Sequence, residues 1–271
     1  MSTQGLPDDL LGRAAMLAQD LASWAIVRTS KSRVSMTTTK SNPADFVTDI
    51  DTSVERWVRE TIARHFPHHA FVGEEFGCTE PEQLTWYCDP VDGTTNFAAG
   101  VPWHSFSLAL ADADGGLVGV VGDPRTQDVY LGIRGRGAWL NGTPLHISPR
   151  SPNLAGSLVV TEWLGCLPWP GQFEVMAELG RQYCTVRIMG STTLSVAGLA
   201  AGRGNGAIIG RFGAVDLMAA TLICHEAGLS VRDQHNQDTL FPTEGGIVVA
   251  HPGLVEQLYR VWQLCAVHAA S

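Results

Sequence analysis

Apolar residues recur at helical spacing from Asp8 to Val27: Leu11, Ala14, Ala15, Leu17, Ala18, Leu21, Ala22 and Ala25 share one face, and Pro7 and Asp8 suit a helix start. The next stretch, "RTSKSRVSMTTTKSNPADF", is rich in Ser, Thr and Lys and reads as a mobile polar loop. A second helix is predicted on the apolar face Val54, Trp57, Val58 and Ile62, with Thr52 and Glu55 as its capping box. "HHAFVGEEFG" and "LTWYCD" read as short strands, each ending in acids. From about 105 to 147 the alternation predicts an antiparallel meander, with turns at Asp114-Gly115-Gly116 and Asn141-Gly142. "SLVVTEW" is a further strand.

Beyond it, helical and extended segments alternate: "QFEVMAELGRQ", "TVRIM", "TTLSVAGLAAG", "NGAIIG", "AVDLMAATLICHEAG", "GGIVVAHP" and "LVEQLYRVWQLCAVHA". The reading is an α+β half over 1–150 and an α/β half over 151–271, within one domain spanning 1–271. No repeat or linker separates them.

Composition narrows the function. The 271 residues are 45% hydrophobic and 17% charged, a globular balance. The net charge of −9 disfavours binding a nucleic acid polymer, though a divalent metal can reverse the field locally for a small phosphorylated metabolite. The cysteines Cys78, Cys88, Cys166, Cys184, Cys224 and Cys265 form no C-x-x-C pair and read as reduced thiols of a cytoplasmic protein. The first residues lack signal-peptide character, and no apolar run is long enough for a membrane span. His68-His69 reads as a surface pair, His104 as structural, and Trp163 and Trp169 as packing residues. Neither a zinc-type histidine pair nor a G-x-S-x-G elbow occurs.

The acids carry the candidate chemistry. Asp45, Asp49, Asp51, Glu74, Glu75, Asp89 and Asp92 stand at element ends, and Asp216 is isolated in apolar "FGAVDLMAA". Capping accounts for Asp45 or Asp49. It fits Asp89 poorly, because "LTWYC" delivers it from the core. Converging carboxylates repel unless a cation compensates, and Mg²⁺ takes oxygen ligands of this kind. In "YCDPVDGTTNF" the proline restrains the backbone so that Asp89 and Asp92 flank one site with the Val91 carbonyl between them. Gly93 permits close backbone approach, and the turn Gly93, Thr94 and Thr95 suits either a phosphate or a helix cap.

These motifs resemble the inositol monophosphatase family of Mg²⁺-dependent, lithium-sensitive phosphomonoesterases. "VGEE", "DPVDGTTNF", "DFVTDID" and "GAVDLMAATLICHEAG" match its motifs in order over about residues 10–265. The resemblance implies a layered αβαβα sandwich of the inositol monophosphatase / fructose-1,6-bisphosphatase type, commonly dimeric, with two or three Mg²⁺ ions. It implies Glu74, Asp89 and the Val91 carbonyl around a first metal, and Asp89, Asp92 and Asp216 around a second. Glu75 is similar to the acid beside the first metal. Asp51 and Thr94 match the pair that positions the attacking water, and Lys40 matches a loop lysine. Gly190, Ser191 and Thr192 match the turn at the substrate mouth.

Two departures stand out. Val215 replaces the tryptophan that usually precedes the last aspartate. Ile209 falls where inositol-binding members carry a glutamate, with Arg211 two residues on. The resemblance therefore implies phosphatase chemistry with an altered substrate: a 3′-phosphoadenosine, a sugar bisphosphate or a histidinol-type phosphate is the alternative to inositol phosphate. A non-catalytic binding or regulatory member is the third reading.

Overall fold

The computed structural model describes residues 8–31, 37–39, 46–80, 82–148, 152–163, 166–240 and 245–269. The chain opens with helix α1 (Asp8–Lys31), a hairpin of β1 (Thr37–Thr39) and β2 (Phe46–Thr48), and helix α2 (Asp49–His65). Strands β3 (Ala70–Gly73), β4 (Gly77–Cys78) and β5 (Thr85–Asp92) lead into the short helix α3 (Thr94–Ala99). The meander follows as β6 (Ser105–Asp112), β7 (Gly115–Asp123), β8 (Asp128–Ile133), β9 (Gly137–Leu140) and β10 (Thr143–Leu145). The second half runs β11 (Leu158–Val160), α4 (Gln172–Arg181), β12 (Thr185–Arg187), α5 (Thr192–Ala200), β13 (Gly206–Ile209), α6 (Ala214–Glu226), β14 (Ser230–Asp233), β15 (Ile247–Ala250) and α7 (Val255–Ala269).

Five layers result. An eight-stranded sheet, ordered β10-β9-β8-β7-β6-β5-β3-β4, and a five-stranded sheet, ordered β12-β11-β13-β15-β14, alternate with helices. Period-two patterning explains how both faces of the large sheet are covered. Leu108, Leu110, Val118 and Val120 pack with Ala14, Ala18 and Val54 of α1 and α2. The alternate residues Ala109, Ala111, Val121 and Tyr130 pack with Leu194, Val196, Leu217 and Met218 of α5 and α6. The same central core takes Ala207, Ile209, Ile247 and Val249 from the small sheet. Val159, Ile208, Val248 and Ala250 face the other way, onto Val175, Leu179, Leu258 and Trp262 of α4 and α7. The layered αβαβα sandwich expected from the sequence is the observed fold.

Helix α6 sits so close to the large sheet that a Cβ on Gly119 would lie 2.8 Å from the Ala219 Cα, and one on Gly132 would lie 3.0 Å from the Ile223 Cα. Glycine at these strand positions is what admits the helix backbone.

Several local expectations change. Helix α1 runs on to Lys31, with the buried Thr29 hydroxyl donating to the Ala25 carbonyl at 2.8 Å. The stretch read as a loop contributes β1 and β2, paired antiparallel. Thr48, not Thr52, caps α2: its side chain accepts from the Ile50 and Asp51 amides, and Asp51 accepts from the Thr48 amide. Thr52 lies inside the helix, donating to the Asp49 carbonyl. His69 is half-buried rather than a surface residue, because Trp86 Nε1 donates to its Nδ1 at 3.1 Å and Phe66 stacks on its ring. The small sheet is mixed: β12, β11 and β13 run parallel, but β15 is antiparallel to β13 and β14. Strand β14 was not expected from the sequence. No described helix is long and apolar enough to cross a membrane.

Candidate functional site

Strand β5 carries the key irregularity. Asp89 pairs with Ser107 and Asp92 with Ser105, so three steps on β5 match two on β6. In a regular strand, residues three apart point to opposite faces. The bulge adds one residue and restores the parity, so both aspartates share the face that looks toward α5 and α6. Pro90, which has no N–H for the ladder, lies within the bulge. The Val91 amide turns inward and donates to Asp89 Oδ1 at 3.0 Å. Cys88 and Val91 face the other way, into the α1–α2 core.

Asp89 is 2% exposed. Its carboxyl is held well above the usual aspartate range, by burial first and then by the charges of Glu74, Asp92 and Asp216. Asp216, on the first turn of α6, accepts the Gly213 amide at 2.6 Å and is pushed up to about 7, mainly by burial. Asp92 is also raised by burial, although Ser191 Oγ at 2.5 Å, the Thr193 amide at 2.8 Å and Ser105 Oγ at 3.4 Å all donate to its Oδ2. Among the described residues these acids do not close into a shell of three ligating side chains.

Glu74 and Glu75 sit on the turn after β3. The Glu74 amide donates to the Cys88 carbonyl at 3.2 Å, which ties this turn to β5. The Glu75 amide donates to Glu55 Oε2 at 2.6 Å. Asp51 is fully buried, and burial raises its pKa. One of its oxygens caps α2 through Thr48; the other accepts from Thr94 Oγ1 at 3.1 Å. Thr94 Oγ1 also lies 2.9 Å from the Val91 carbonyl. A single hydroxyl proton thus has two acceptors.

Gly93 adopts φ +88°, and a Cβ there would fall 2.6 Å from the Gly190 carbonyl oxygen. Only glycine accommodates both demands. Thr95, next on α3, is exposed. The turn Gly190-Ser191 and the start of α5 at Thr192 therefore meet β5 directly. The structure brings together Asp51, Glu74, Asp89, Val91, Asp92, Gly93, Thr94, Gly190, Ser191 and Asp216. Lys40 and Asp45 lie outside the described residues.

Ile209 requires a correction. It is 1% exposed and packs within the core between the small sheet and α5–α6, so it presents no surface at a ligand mouth. Strand β13 is central in the small sheet and buried on both faces, Ile208 toward α4 and α7 and Ile209 toward α5 and α6, and an ungapped alignment does not reveal it. Arg211 is exposed on the loop between β13 and α6.

Glu162 escaped the sequence reading. It is 2% exposed just beyond β11, and its carboxylate accepts from the Met189 and Gly190 amides and from Ser195 Oγ. Burial pushes its pKa up to about 7. The signal was present, since "SLVVTE" is another apolar strand that ends in an acid.

Comparison with known proteins agrees with this architecture. The model of the inositol monophosphatase family matches residues 9–265. The Nus factor SuhB of Pasteurella multocida is 33% identical over 255 residues, covering 93% of this chain and 95% of that protein. An inositol monophosphatase of Mesembryanthemum crystallinum is 34% identical over 204 residues, covering 72% of this chain and 75% of the relative. The solved inositol monophosphatase of Anabaena (Nostoc) superposes with a TM-score of 0.81 at 26% identity, covering 96% of this chain and 99% of that one.

Proposed function

The chain belongs to the inositol monophosphatase family, and on that premise we propose that it hydrolyses a small phosphate monoester with Mg²⁺ at the junction of β5, α3 and α6. The observation that carries the reading is the β5 bulge, which sets Asp89 and Asp92 on one face where Glu74 and Asp216 also act on Asp89. The donor set is all oxygen, and burial together with neighbouring acids disfavours a lone negative charge on Asp89 and Asp216, which a hard divalent cation would offset. Glu74, Asp89 and the Val91 carbonyl would hold one ion, and Asp89, Asp92 and Asp216 a second. Bound there, Mg²⁺ supplies charge neutralisation at the phosphate and a more acidic water.

The chain's own groups do the rest. Thr94 Oγ1, held between Asp51 Oδ1 and the Val91 carbonyl, accepts from the attacking water and passes the proton toward Asp51. Glu75 supports the Glu74 turn from beside it. The Gly93–Thr95 and Gly190–Thr192 turns border the phosphate. No thiol takes part: the Cys88 sulfur faces the α1–α2 core, and burial holds its pKa far above the ordinary cysteine range.

The substrate is read from the rim. Arg211 offers an exposed cation on the loop between β13 and α6. This favours a substrate with a second anionic group, such as a sugar or nucleoside bisphosphate, or a histidinol-type phosphate, over inositol phosphate. The protein is further read as a cytoplasmic homodimer, inhibited by Li⁺. A binding role, raised by the name of the Nus factor of Pasteurella multocida, is opposed by the full set of acids together with Thr94.

The test is phosphate release with Mg²⁺ across inositol, nucleotide, sugar and histidinol phosphates, with Asp89→Asn as the control. Release from bisphosphates that is lost in Asp89→Asn supports the reading. Inositol 1-phosphate as the best substrate by far would remove the Arg211 argument. No release from any ester would leave the binding role in its place.

A further inference from the structure

Glu162 is a buried acid without a cationic partner among the described residues. Burying a carboxylate is costly unless hydrogen bonds compensate, and an apolar residue would fill the space at lower cost. What this carboxylate touches is therefore informative. Oε1 lies 2.7 Å from Ser195 Oγ and 3.0 Å from the Met189 amide. Oε2 lies 2.8 Å from the Gly190 amide and 3.2 Å from the Met189 amide. The acid grips the turn before α5 and the first turn of α5 together.

Its own backbone is fixed as well. Gln172 Nε2, at the start of α4, donates to the Glu162 carbonyl at 3.2 Å and to Thr161 Oγ1 at 3.1 Å. The gripped turn is held from the opposite side by Asn96 of α3, whose Nδ2 donates to the Met189 carbonyl at 2.8 Å. One residue further on, Ser191 Oγ and the Thr193 amide donate to Asp92 Oδ2 at 2.5 and 2.8 Å.

We propose that Glu162 is a positioning residue of the site: by holding the Met189–Gly190 amides and Ser195, it sets Ser191 and Thr193 on Asp92 and so fixes the orientation of that carboxylate. Glu162 touches neither substrate nor metal; it acts through the turn. The effect on catalysis rests on the phosphatase reading above, whereas the effect on the turn does not.

The experiment uses the full chain with Glu162→Gln and Glu162→Asp. Gln replaces one acceptor oxygen with an amide nitrogen that confronts N–H donors; Asp keeps the charge but is one methylene too short to reach all three donors. Amide hydrogen exchange is followed at Met189, Gly190 and Thr193, with Val248 and Val249 of β15 as internal references. In parallel, kcat/KM for p-nitrophenyl phosphate and the half-saturating Mg²⁺ concentration are measured. The expected result is faster exchange at the three amides with the β15 amides unchanged, a rise in the Mg²⁺ requirement, and a loss of about 10–100-fold in kcat/KM, the scale typical of groups that orient metal ligands.

A merely structural role predicts faster exchange everywhere and an unaltered Mg²⁺ requirement, and that outcome overturns the proposal. Unchanged exchange at the three amides in a variant that folds overturns it too. If the wild type releases no phosphate, the phosphatase reading fails by itself, and the exchange result alone decides the role of Glu162.

Discussion

Gly73 lies directly against Glu55: a Cβ at position 73 would stand 2.0 Å from Glu55 Oε1. Glu55 is fully buried, pairs with Arg59 at 3.1 Å, and accepts the Glu75 and Phe76 amides at 2.6 and 3.1 Å. The acidic turn is thus held from beneath by α2. Gly73→Ala must displace either the carboxylate or the turn. The expected loss is about 1–3 kcal/mol of stability, as for an overpacked core, together with reduced phosphate release. Urea unfolding of the variant gives the first number; an unchanged midpoint would show that the turn gives way freely.

Asp89→Asn separates stability from activity. It should abolish phosphate release, yet it removes one of several buried carboxylates that repel each other. Without metal, the variant should melt above the wild type by about 2–4 °C for each kcal/mol of relieved repulsion. Mg²⁺ should raise the wild-type melting temperature by linkage and leave the variant's nearly unchanged. Thermal scans with EDTA and with Mg²⁺ make the comparison, and a variant that melts lower under EDTA contradicts it.

If Thr94 and Asp51 form the proton path proposed above, the hydroxyl matters more than the side-chain volume. Thr94→Ser should retain most of the activity. Thr94→Val and Asp51→Asn should each lose on the order of 10²–10⁴-fold in kcat, the usual range for acid–base groups. Steady-state kinetics at saturating Mg²⁺ decide; a fully active Thr94→Val would remove the hydroxyl from the mechanism.

The sequence revealed most of the site because its parts are local. "DPVDGTTNF" holds the bulge, the left-handed Gly93 and Thr94 within one short segment, and "GEE" immediately follows its strand. What stayed hidden depends on contacts between distant segments. Thr52 and Thr48 look alike as caps, and the helix start at Asp49 makes Thr48 the cap and leaves Thr52 inside the helix. The roles of Glu55 and Glu162 come from partners 20 or more residues away in sequence. Ile209 was misplaced because β13 lies inside the small sheet with core on both faces, which its distance from a motif does not reveal. Strand β14 is short, and its pairing with β15 is not local information.

Glu162 also predicts a pH dependence. In the unfolded chain it ionises near the ordinary glutamate value of 4.5, and in the folded protein it is pushed up to about 7. Between these values the folded state keeps a proton that the unfolded state has lost. Stability from this group is therefore full below about pH 4.5 and falls as the pH rises toward 7, by on the order of 3 kcal/mol. In metal-free protein, Glu162→Gln should lose less stability than the wild type between pH 4.5 and 8. Urea midpoints across that range read the difference directly, and parallel curves for the two proteins would exclude it.

The bulge in β5 makes chain length, rather than side-chain identity, the fragile variable at this site. Removing one residue between Asp89 and Asp92 would return the strand to regular pairing and leave the acids two apart, on one face and still opposite Ser107 and Ser105, but without the extra residue that turns the Val91 amide onto Asp89. Removing the bulge while keeping the spacing of three would swing Asp92 through the sheet into the apolar layer beneath α1 and α2. Point changes around the pair are therefore graded in effect, whereas a change of parity against β6 acts as a frame error in three dimensions. An odd separation between two acids on a strand is in this sense a message about backbone: it can serve one site only where the strand has been made to miscount.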